Sequence, residues 1–323
     1  MRIVVIGATG HIGTFLVPRL VRAGHEVVAV SRGTRSAYVD APEWAQVERI
    51  VADRDQEDRD GTFGARIAGL HADAVVDLVC FTLPSAAALV AALRGSSTHL
   101  VHCGSIWRAG VSHVLPITEE NATAPFGEYG TQKDAIARML KRETAEGGVV
   151  TTSLHPGHIS GPGWMPIGPL GNLDPTVWTR LAAGEPLAVP GLGAETMAHV
   201  HADDVAQAFQ LAVEHRDAAA GEDCFVTAST ALTVRGYAHL AASWFGQEAR
   251  LESVSWDRFR DATAPEHVAA SWEHLSRSQV FSTEEPRRLL GYEPAYTAEE
   301  TVLDAVRWLV EHDGVEVSRP LIA

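Results

Sequence analysis

Three glycines near the start of the chain, Gly7, Gly10 and Gly13, constrain its fold more than any other feature. They follow an apolar, β-branched segment, residues 1–6, and they open a segment with helical spacing, residues 12–23. In such a unit one glycine permits a sharp turn, one lets the backbone approach a ligand, and one lets the helix pack on the strand. A tight turn without a ligand is the alternative. The strand before and the helix after favour binding of a dinucleotide pyrophosphate.

The helix that follows this turn would point its N-terminus at the phosphates. Unpaired backbone N–H groups and the positive end of the helix dipole make such a terminus an anion site. The residues between the glycines lie at the same place. We therefore expect Thr9, His11 and Ile12 to contact the cofactor together with the three glycines.

The end of the second predicted strand, Glu26–Ser31, distinguishes between the two nicotinamide dinucleotides. A carboxylate there, about 20 residues past the turn, would bind the ribose 2′-hydroxyl of NAD. This chain instead has Ser31 and Arg32, with Arg35 nearby, and a guanidinium is the better partner for a 2′-phosphate. A solvent-facing arginine is the alternative. NADP is favoured and NAD stays open. Asp53, after the third strand, is a candidate for the adenine amine.

Strands and helices alternate through the first half of the chain. This order implies right-handed crossovers and a parallel sheet covered on both faces, which is an α/β fold. After about residue 153 the regularity fades, and residues 155–173 are rich in Gly and Pro. Beyond the elements already named, the predicted strands are 74–81, 99–103 and 224–227, and the predicted helices are 83–93, 130–143 and 203–214.

The same pattern predicts two parts. Residues 1–154 form the dinucleotide-binding domain, and we expect 199–227 to return to it. Residues 155–198 and 228–323 form a smaller, substrate-binding lobe.

Composition excludes several classes of protein. The formal charge of −15 argues against a nucleic-acid surface, which needs a concentrated field of Lys and Arg. No apolar run approaches the ~20 residues that cross a bilayer, and the first residues lack a signal-peptide layout. Three scattered cysteines, Cys80, Cys103 and Cys224, argue against a disulfide framework. We expect a cytoplasmic protein with a small-molecule substrate.

A phenol and an ammonium stand four residues apart at Tyr129 and Lys133, on one face of a predicted helix. A nearby ammonium favours the phenolate and would lower the tyrosine pKa toward neutral pH. Such pairs also arise by chance on solvated helix faces. Ser105 shifts the balance, because it follows the strand His99–Cys103 and so stands at the carboxyl edge of the sheet, where open α/β folds bind ligands.

The glycine turn, Ser105, Tyr129 and Lys133, in this order, resemble the extended short-chain dehydrogenase/reductases, the NAD(P)-dependent epimerase/dehydratase family. The resemblance implies a Rossmann-type doubly wound parallel sheet with a smaller C-terminal substrate-binding lobe. Further matches to the family lie at Asp53 and at residues 155–157, 161–163, 199–206 and 289–292.

The resemblance also implies roles for individual residues. Tyr129 would give a proton to the carbonyl oxygen or remove it in reverse, and Lys133 would hold the nicotinamide ribose and lower the tyrosine pKa. Ser105 would hydrogen-bond the substrate oxygen. Pro156 and Gly157 would lie beside the nicotinamide. Relatives are usually homodimers through the helices around Tyr129, and the sequence itself does not determine the oligomeric state.

Three departures from the family pattern bear on the reaction. Ile106 and Trp107 follow Ser105 where dehydratases carry an Asp–Glu pair, so elimination of water is disfavoured. Arg32 indicates NADP, which suits net reduction. Met197 occupies the place of an arginine that binds the diphosphate in many sugar-nucleotide members, so a smaller or less charged substrate is expected.

We therefore expect an NADP-dependent oxidoreductase that acts on a carbonyl or the matching alcohol of a small or sugar-like compound. Two alternatives remain. One is an NAD-dependent nucleotide-sugar epimerase. The other is a non-catalytic NAD(P)-binding regulator, such as a redox sensor or an RNA-associated protein, although members of that kind often lack the Tyr or the Lys that this chain retains.

Several other residues are candidates for the substrate side. Trp107, Arg108 and His158 could line the substrate pocket, although plain surface or packing roles compete. The segment 199–204 holds two His and two Asp and resembles a metal site. In the family this stretch returns the chain to the sheet and starts a helix, so no metal is expected.

Overall fold

The computed structural model describes residues 1–322. The strands are β1 (Arg2–Ile6), β2 (Glu26–Ser31), β3 (Glu48–Val51), β4 (Ala74–Asp77), β5 (His99–Cys103), β6 (Val150–Pro156), β7 (His158–Ser160), β8 (Pro186–Pro190), β9 (Thr196–Met197), β10 (His199–His201), β11 (Asp223–Val226), β12 (Leu232–Thr233) and β13 (Arg250–Val254). The helices are α1 (His11–Arg22), α2 (Arg54–Arg59), α3 (Phe63–Ala68), α4 (Leu83–Leu93), α5 (Glu128–Ala145), α6 (Thr176–Ala183), α7 (Ala202–Glu214), α8 (Arg216–Ala219), α9 (Val234–Ser243), α10 (Trp256–Ala262), α11 (Pro265–Arg277), α12 (Glu284–Leu290) and α13 (Ala298–Glu311).

A seven-stranded parallel sheet forms the centre of the molecule, in the order β11-β6-β5-β4-β1-β2-β3. The predicted α/β class with a Rossmann-like parallel sheet is confirmed. β1, β4 and β5 are almost wholly buried because helices cover both faces, and most of their residues are apolar. The strand order reverses between β1 and β4, and ligands of open α/β sheets bind beyond the carboxyl ends at such a point.

Most predicted elements agree with the structure. β2, β5 and α4 have the predicted bounds, and α1 and α7 begin one residue early. The strand predicted over 74–81 ends at Asp77, because the chain then leaves the sheet and runs along the cleft described below. The helix predicted over 130–143 is longer at both ends, Glu128–Ala145.

Helices fix the two faces of the sheet. On one face α1 and α7 pack side by side. Arg19 of α1 donates two hydrogen bonds, of 2.6 and 2.7 Å, to the Asp203 carboxylate of α7. On the other face the apolar sides of α3, α4 and α5 cover β1, β4 and β5. Arg–carboxylate pairs with two bonds set orientation as well as distance. The carboxyl edge of the sheet is left open between these layers.

The C-terminal part has its own apolar core. It is centred on the fully buried side chains of Trp178, Tyr237 and Phe259. Small two-stranded sheets, β7 with β10, β8 with β13 and β9 with β12, connect its loops. β11 pairs with β6 in the large sheet. The division into a domain of 1–154 with 199–227 and a lobe of 155–198 with 228–323 stays a prediction. Within residues 1–322, every helix is too short or too polar to span a bilayer.

The close packing of α1 on β1 should be sensitive to a single methyl group. A Cβ at Gly13 would lie 2.2 Å from the backbone oxygen of Ala8, so Gly13→Ala must push α1 away from the turn that connects it to β1. We expect a loss of about 3 kcal/mol or more in unfolding free energy, measured by urea denaturation. Gly24→Ala is the control, because its Cβ meets open space and only the left-handed φ of 83° opposes it, at about 1 kcal/mol. Equal losses would contradict the packing argument.

Candidate active site

The glycine turn is shaped for an anion. Gly7 has a φ of 85°, and a Cβ there would lie 2.7 Å from Val79, so only glycine fits the turn. Gly10 is the N-cap of α1 without a side-chain hydrogen bond, and the first turn contains no acid. The first N–H groups of α1 are therefore available to a phosphate. Gly13 lies behind the turn, against Ala8.

The end of the cleft beside β2 and β3 contains the residues predicted from the strand ends. Ser31, Arg32 and Arg35 line it after β2, and Asp53 lines it after β3. The Asp53 carboxylate also accepts a hydrogen bond of 3.1 Å from the Gln56 N–H, which caps α2. One carboxylate therefore serves both the helix and the cleft wall.

Sequence reasoning missed Arg54 in this wall. Its guanidinium is buried, donates to the Asp77 carboxylate at 2.5 Å and lies 5.0 Å from the Phe63 ring centre. Asp77 ends β4 and is 2% exposed, so its charge is balanced by Arg54 where the strand meets the cleft. An arginine at a strand-to-helix junction has no sequence signal for burial, because its partner is 23 residues away.

Lys133 is almost completely buried, at 1% exposure. Its ammonium donates to the backbone oxygens of Cys80 and Cys103, each at 2.7 Å. Burial lowers the pKa of Lys133, and the thiols of Cys103 and Cys80 oppose that shift. Since an ammonium has three donors, one more remains for a ligand in the cleft.

The pKa of Tyr129 is raised, whereas the sequence led us to expect a lowered value. It lines the cleft with 41% of its surface exposed, and the Lys133 ammonium lies 5.7 Å from its ring centre. Desolvation raises the pKa of the phenol to about 12, and the hydrogen bond with Ser105 opposes that shift. The lowering that was expected from Lys133 is not found, since the ammonium is directed at two carbonyl oxygens. The phenol therefore carries its proton at neutral pH.

Ser105 stands two residues past the end of β5 and begins a short 3-10 helix, Ile106–Arg108. Its hydroxyl oxygen accepts from the Trp107 N–H at 3.2 Å, and its own N–H donates to Nδ1 of His155 at 3.2 Å. His155 packs so closely that a Cβ on Gly104 would lie 1.9 Å from that nitrogen. The serine is thus held through its backbone, and its hydroxyl also hydrogen-bonds Tyr129, so the two hydroxyl groups meet at one point of the cleft.

A buried charge network lies under Ser105. Nε2 of the fully buried His155 hydrogen-bonds the Asp223 carboxylate, which also accepts from Arg108. Arg108 reaches Asp134 at 3.3 Å as well. Burial opposes ionisation of Asp223, but His155 and Arg108 outweigh it and hold the pKa of this carboxyl well below its usual range. The guanidinium of Arg108 is therefore engaged behind the site, and the structure does not bring it to the cleft.

The other two substrate candidates lie beside the cleft in an aromatic wall. Trp107 meets the Tyr129 ring edge-on at 5.8 Å, and the ring of His274 at 4.8 Å. His158 packs against His274 and His199 at 4.9 and 5.5 Å. Burial, with His274 and His199 nearby, lowers the pKa of His158 well below its usual value. His158 is therefore a neutral packing residue at neutral pH.

The side chains of residues 199–204, which include two His and two Asp, make hydrogen bonds to backbone groups and ion pairs. His201 caps α7 by accepting from the Asp203 N–H at 3.0 Å, and Asp203 binds Arg19. Asp204 accepts from the N–H groups of residues 295 and 296. Residues 1–322 contain no group of three His, Cys, Asp or Glu side chains placed to hold a metal ion.

One cleft of about 550 Å³ joins these features along the carboxyl edge of the sheet. Residues of the predicted cofactor site and of the predicted catalytic set both line this cleft. Its lining does not include Gly13, Trp107, Arg108 or His158. Of the residues predicted for cofactor and catalysis, the lining comprises Gly7, Thr9, Gly10, His11, Ile12, Ser31, Arg32, Asp53, Ser105, Tyr129, Lys133, Pro156 and Gly157.

The turn after β6 lines the same cleft as Ser105. The N–H of Gly157 donates to the Val226 oxygen at 2.9 Å, and a Cβ on Gly157 would lie 2.5 Å from the Ala198 oxygen. Pro156 and Gly157 therefore form a fixed part of the cleft wall. An anion-ready turn, a long cleft and this wall fit an elongated dinucleotide.

The model of the NAD dependent epimerase/dehydratase family matches residues 3–226. The chain belongs to this family of NAD(P)-dependent enzymes. The match runs through the whole seven-stranded sheet, from β1 to β11.

Relatives within this family differ in what their names describe. Over 208 residues the chain is 30% identical to 2′-dehydrokanamycin reductase of Streptomyces kanamyceticus, covering 64% of this chain and 56% of that protein. It is 26% identical to a chloroplast stem-loop binding protein of 41 kDa of Arabidopsis thaliana, covering 64% of this chain and 54% of that protein. The chain thus spans little more than half the length of these relatives.

Solved structures show the same fold. A structure of an epimerase from Methanothermobacter thermautotrophicus superposes with a TM-score of 0.74 at 19% identity, covering 97% of this chain and 93% of that one. The C-terminal part is therefore included in the structural match, although the sequence match ends at residue 226.

The charge network under Ser105 should contribute strongly to stability. Asp223→Ala leaves the fully buried His155 without its anion and leaves Arg108 with only Asp134, at 3.3 Å. We expect a loss of about 3–5 kcal/mol in unfolding free energy, measured by urea denaturation. Asp257→Ala is the control, because Asp257 is 77% exposed and pairs with Arg260 at the surface, where about 0–1 kcal/mol is expected. A small effect for both would contradict the buried network.

Proposed function

We propose that the protein is an NADP-dependent oxidoreductase that reduces a carbonyl group of a small or sugar-like compound, or oxidises the matching alcohol. The observation that carries the proposal is the convergence of Ser105, Tyr129 and Lys133 on the cleft that also contains the glycine turn. The name of the reductase relative from Streptomyces kanamyceticus supports net reduction of a sugar-like ketone.

Three residues of this chain divide the work. When bound, the nicotinamide supplies or accepts the hydride. Ser105 donates a hydrogen bond to the carbonyl oxygen and fixes its position. Tyr129, protonated at neutral pH because of its raised pKa, gives its proton to that oxygen as the alcohol forms. Lys133, anchored on the Cys80 and Cys103 oxygens, has its remaining donor for the nicotinamide ribose.

The charges around the substrate end favour a substrate without phosphate groups. Met197 stands where many sugar-nucleotide members have an arginine that binds the diphosphate. It is uncharged and fully buried. Arg108 is held by Asp223 and Asp134. Arg277 is 1% exposed and lies with its guanidinium 4.0 Å from the Trp107 ring centre. Because a diphosphate needs available cations, a neutral or amino-substituted compound fits better.

The other two readings have weaker support. An epimerase acting on nucleotide sugars would need the same missing cations. A stem-loop binding role, as in the name of the chloroplast relative, would need a basic surface, whereas this chain carries a formal charge of −15. It also retains a complete Ser, Tyr and Lys set.

A cofactor and substrate screen tests the proposal. Carbonyl compounds and alcohols, including keto sugars and amino sugars, are mixed with the protein and NADPH or NADP⁺, then NADH or NAD⁺, and absorbance of the reduced nicotinamide is followed. Turnover with NADPH supports the proposal. Tight, saturable binding of UDP-glucose or a dTDP-sugar in calorimetry, without net turnover, would favour the epimerase.

The chemistry predicts distinct effects for the three site residues. Tyr129→Phe removes the transferable proton and should lower kcat by roughly two or more powers of ten, while NADPH binding is retained. Ser105→Ala should lower kcat with little change in cofactor affinity. Lys133→Met should weaken cofactor binding as well. Tyr296→Phe, which removes a phenolic hydroxyl outside the cleft lining, is the control. Near-full activity of Tyr129→Phe would rule out Tyr129 as the acid.

Cofactor choice is tested at the end of β2. Arg32→Asp replaces attraction for a 2′-phosphate by repulsion, so the Kd for NADPH should rise by roughly a hundredfold and the Kd for NADH by far less. Arg287→Asp changes the net charge equally at an exposed position on α12 and should change neither value. An equal loss for both cofactors in Arg32→Asp would contradict the assignment of NADP.

A further inference from the structure

Three aromatic rings from separate segments meet beside the phosphate-binding turn. They belong to His11 at the start of α1, Tyr38 in the loop after β2, and Trp164 in the loop after β7. The rings of His11 and Trp164 stack with centroids 5.2 Å apart and an angle of 12°. Tyr38 meets both edge-on, 6.2 Å from His11 and 6.4 Å from Trp164. We call these residues the three-ring cluster.

The backbone at Gly163 allows the loop that carries Trp164 to approach Tyr38 closely. Gly163 has a φ of 87°, and a Cβ there would lie 2.3 Å from the Tyr38 ring. The N–H of Tyr38 donates to the Thr14 hydroxyl at 3.0 Å, so the ring is fixed on α1. Only a glycine permits this approach. The loop that carries Trp164 belongs to the predicted substrate lobe, and it crosses to the dinucleotide-binding part at this point.

His11 and Trp164 both line the cleft, and the two ring nitrogens of His11 have different surroundings. The residue is 8% exposed, and its Nε2 is buried without a hydrogen bond to any of residues 1–322. Burial, with His201 nearby, lowers the pKa of His11 to about 3, and a hydrogen bond with the backbone of Gly161 opposes that shift, so the ring is neutral and carries one N–H. A buried nitrogen without a partner costs about 1–3 kcal/mol unless a water molecule or a ligand satisfies it.

Tyr38 connects the cluster to the end of β2. Its hydroxyl accepts from the Arg35 guanidinium at 2.7 Å. Arg35 lines the cleft together with Arg32. The Tyr38 ring therefore contacts Trp164 edge-on, and its hydroxyl group orients the Arg35 guanidinium.

We propose that the three-ring cluster belongs to the dinucleotide site: Trp164 and His11 cover the pyrophosphate, and Tyr38 orients Arg35 toward the adenosine 2′-phosphate. The proposal rests on the proposed NADP cofactor and needs no carbonyl substrate. Stacked rings exclude water from the phosphates, which strengthens their hydrogen bonds to the turn. A residue of the substrate lobe thereby helps to retain the cofactor.

Binding measurements with two variants separate the two halves of the proposal. Isothermal titration calorimetry gives the Kd of NADPH and of NADH for each protein. Trp164→Ala uncovers the pyrophosphate, which both cofactors share, so both Kd values should rise by the same factor, roughly three- to tenfold. Tyr38→Phe keeps the ring and removes only the partner of Arg35, so the Kd of NADPH should rise while that of NADH stays unchanged.

Trp272→Ala is the matched control. Trp272 is 52% exposed and lies edge-on against Trp256 at 5.0 Å, outside the cleft lining, so both Kd values should be those of the original protein. Trp164→Phe keeps an aromatic ring and should retain most of the affinity, and thermal denaturation without ligand checks that each variant is folded.

Two outcomes would overturn the inference alone: a Trp164→Ala protein that binds both cofactors as the original does, or a Tyr38→Phe protein that loses affinity for both equally. If the original protein binds neither NADPH nor NADH, the proposed function fails with it. The absorbance screen for carbonyl turnover stays an independent test, because it does not depend on Trp164.

Discussion

The buried ammonium of Lys133 is the interaction on which the arrangement of the site depends. Removing a charge from water costs several kcal/mol unless hydrogen bonds replace the lost solvation. The oxygens of Cys80 and Cys103, where the chain leaves β4 and β5, provide that replacement at 2.7 Å each. This contact ties α5 to the middle of the sheet at its carboxyl edge. One helical turn earlier on the same face, Tyr129 is therefore placed over the cleft beside Ser105.

The second constraint is the meeting of the two parts of the chain along that edge. Ser105 is supported from below by His155, whose imidazole is itself fixed by Asp223 of β11. Trp107, two residues on, is packed by His274 of α11. At the other end of the cleft, Trp164 reaches from the loop after β7 to His11, directly after the glycine turn. Both ends of the cleft are thus held by segments that are distant in sequence.

Much of the fold could be predicted because its signals are local. Buried parallel strands are mostly apolar, so the bounds of β2 were predicted correctly, and a Thr N-cap with a following Pro marks the start of α4. The glycine spacing of the first turn likewise reports backbone geometry directly. β4 was predicted too long, because an apolar segment that lines a cleft has the same composition as one inside a sheet. The pKa of Tyr129 was expected to be lowered, since spacing shows proximity to Lys133 and does not show that the ammonium is directed elsewhere.

By itself the sequence determined the α/β class and the tight glycine turn after β1, because both depend on periodicity or spacing within a short segment, and its resemblance to a known family pointed to Ser105, Tyr129 and Lys133. Only the tertiary structure decided which charges face the cleft. Arg108 is directed at Asp223, which is 115 residues away, and Arg54 at Asp77, whereas Trp164 reaches His11 across 153 positions of the chain. Burial and electrostatic pairing depend on distance in space, and a linear pattern carries no record of partners that folding brings together.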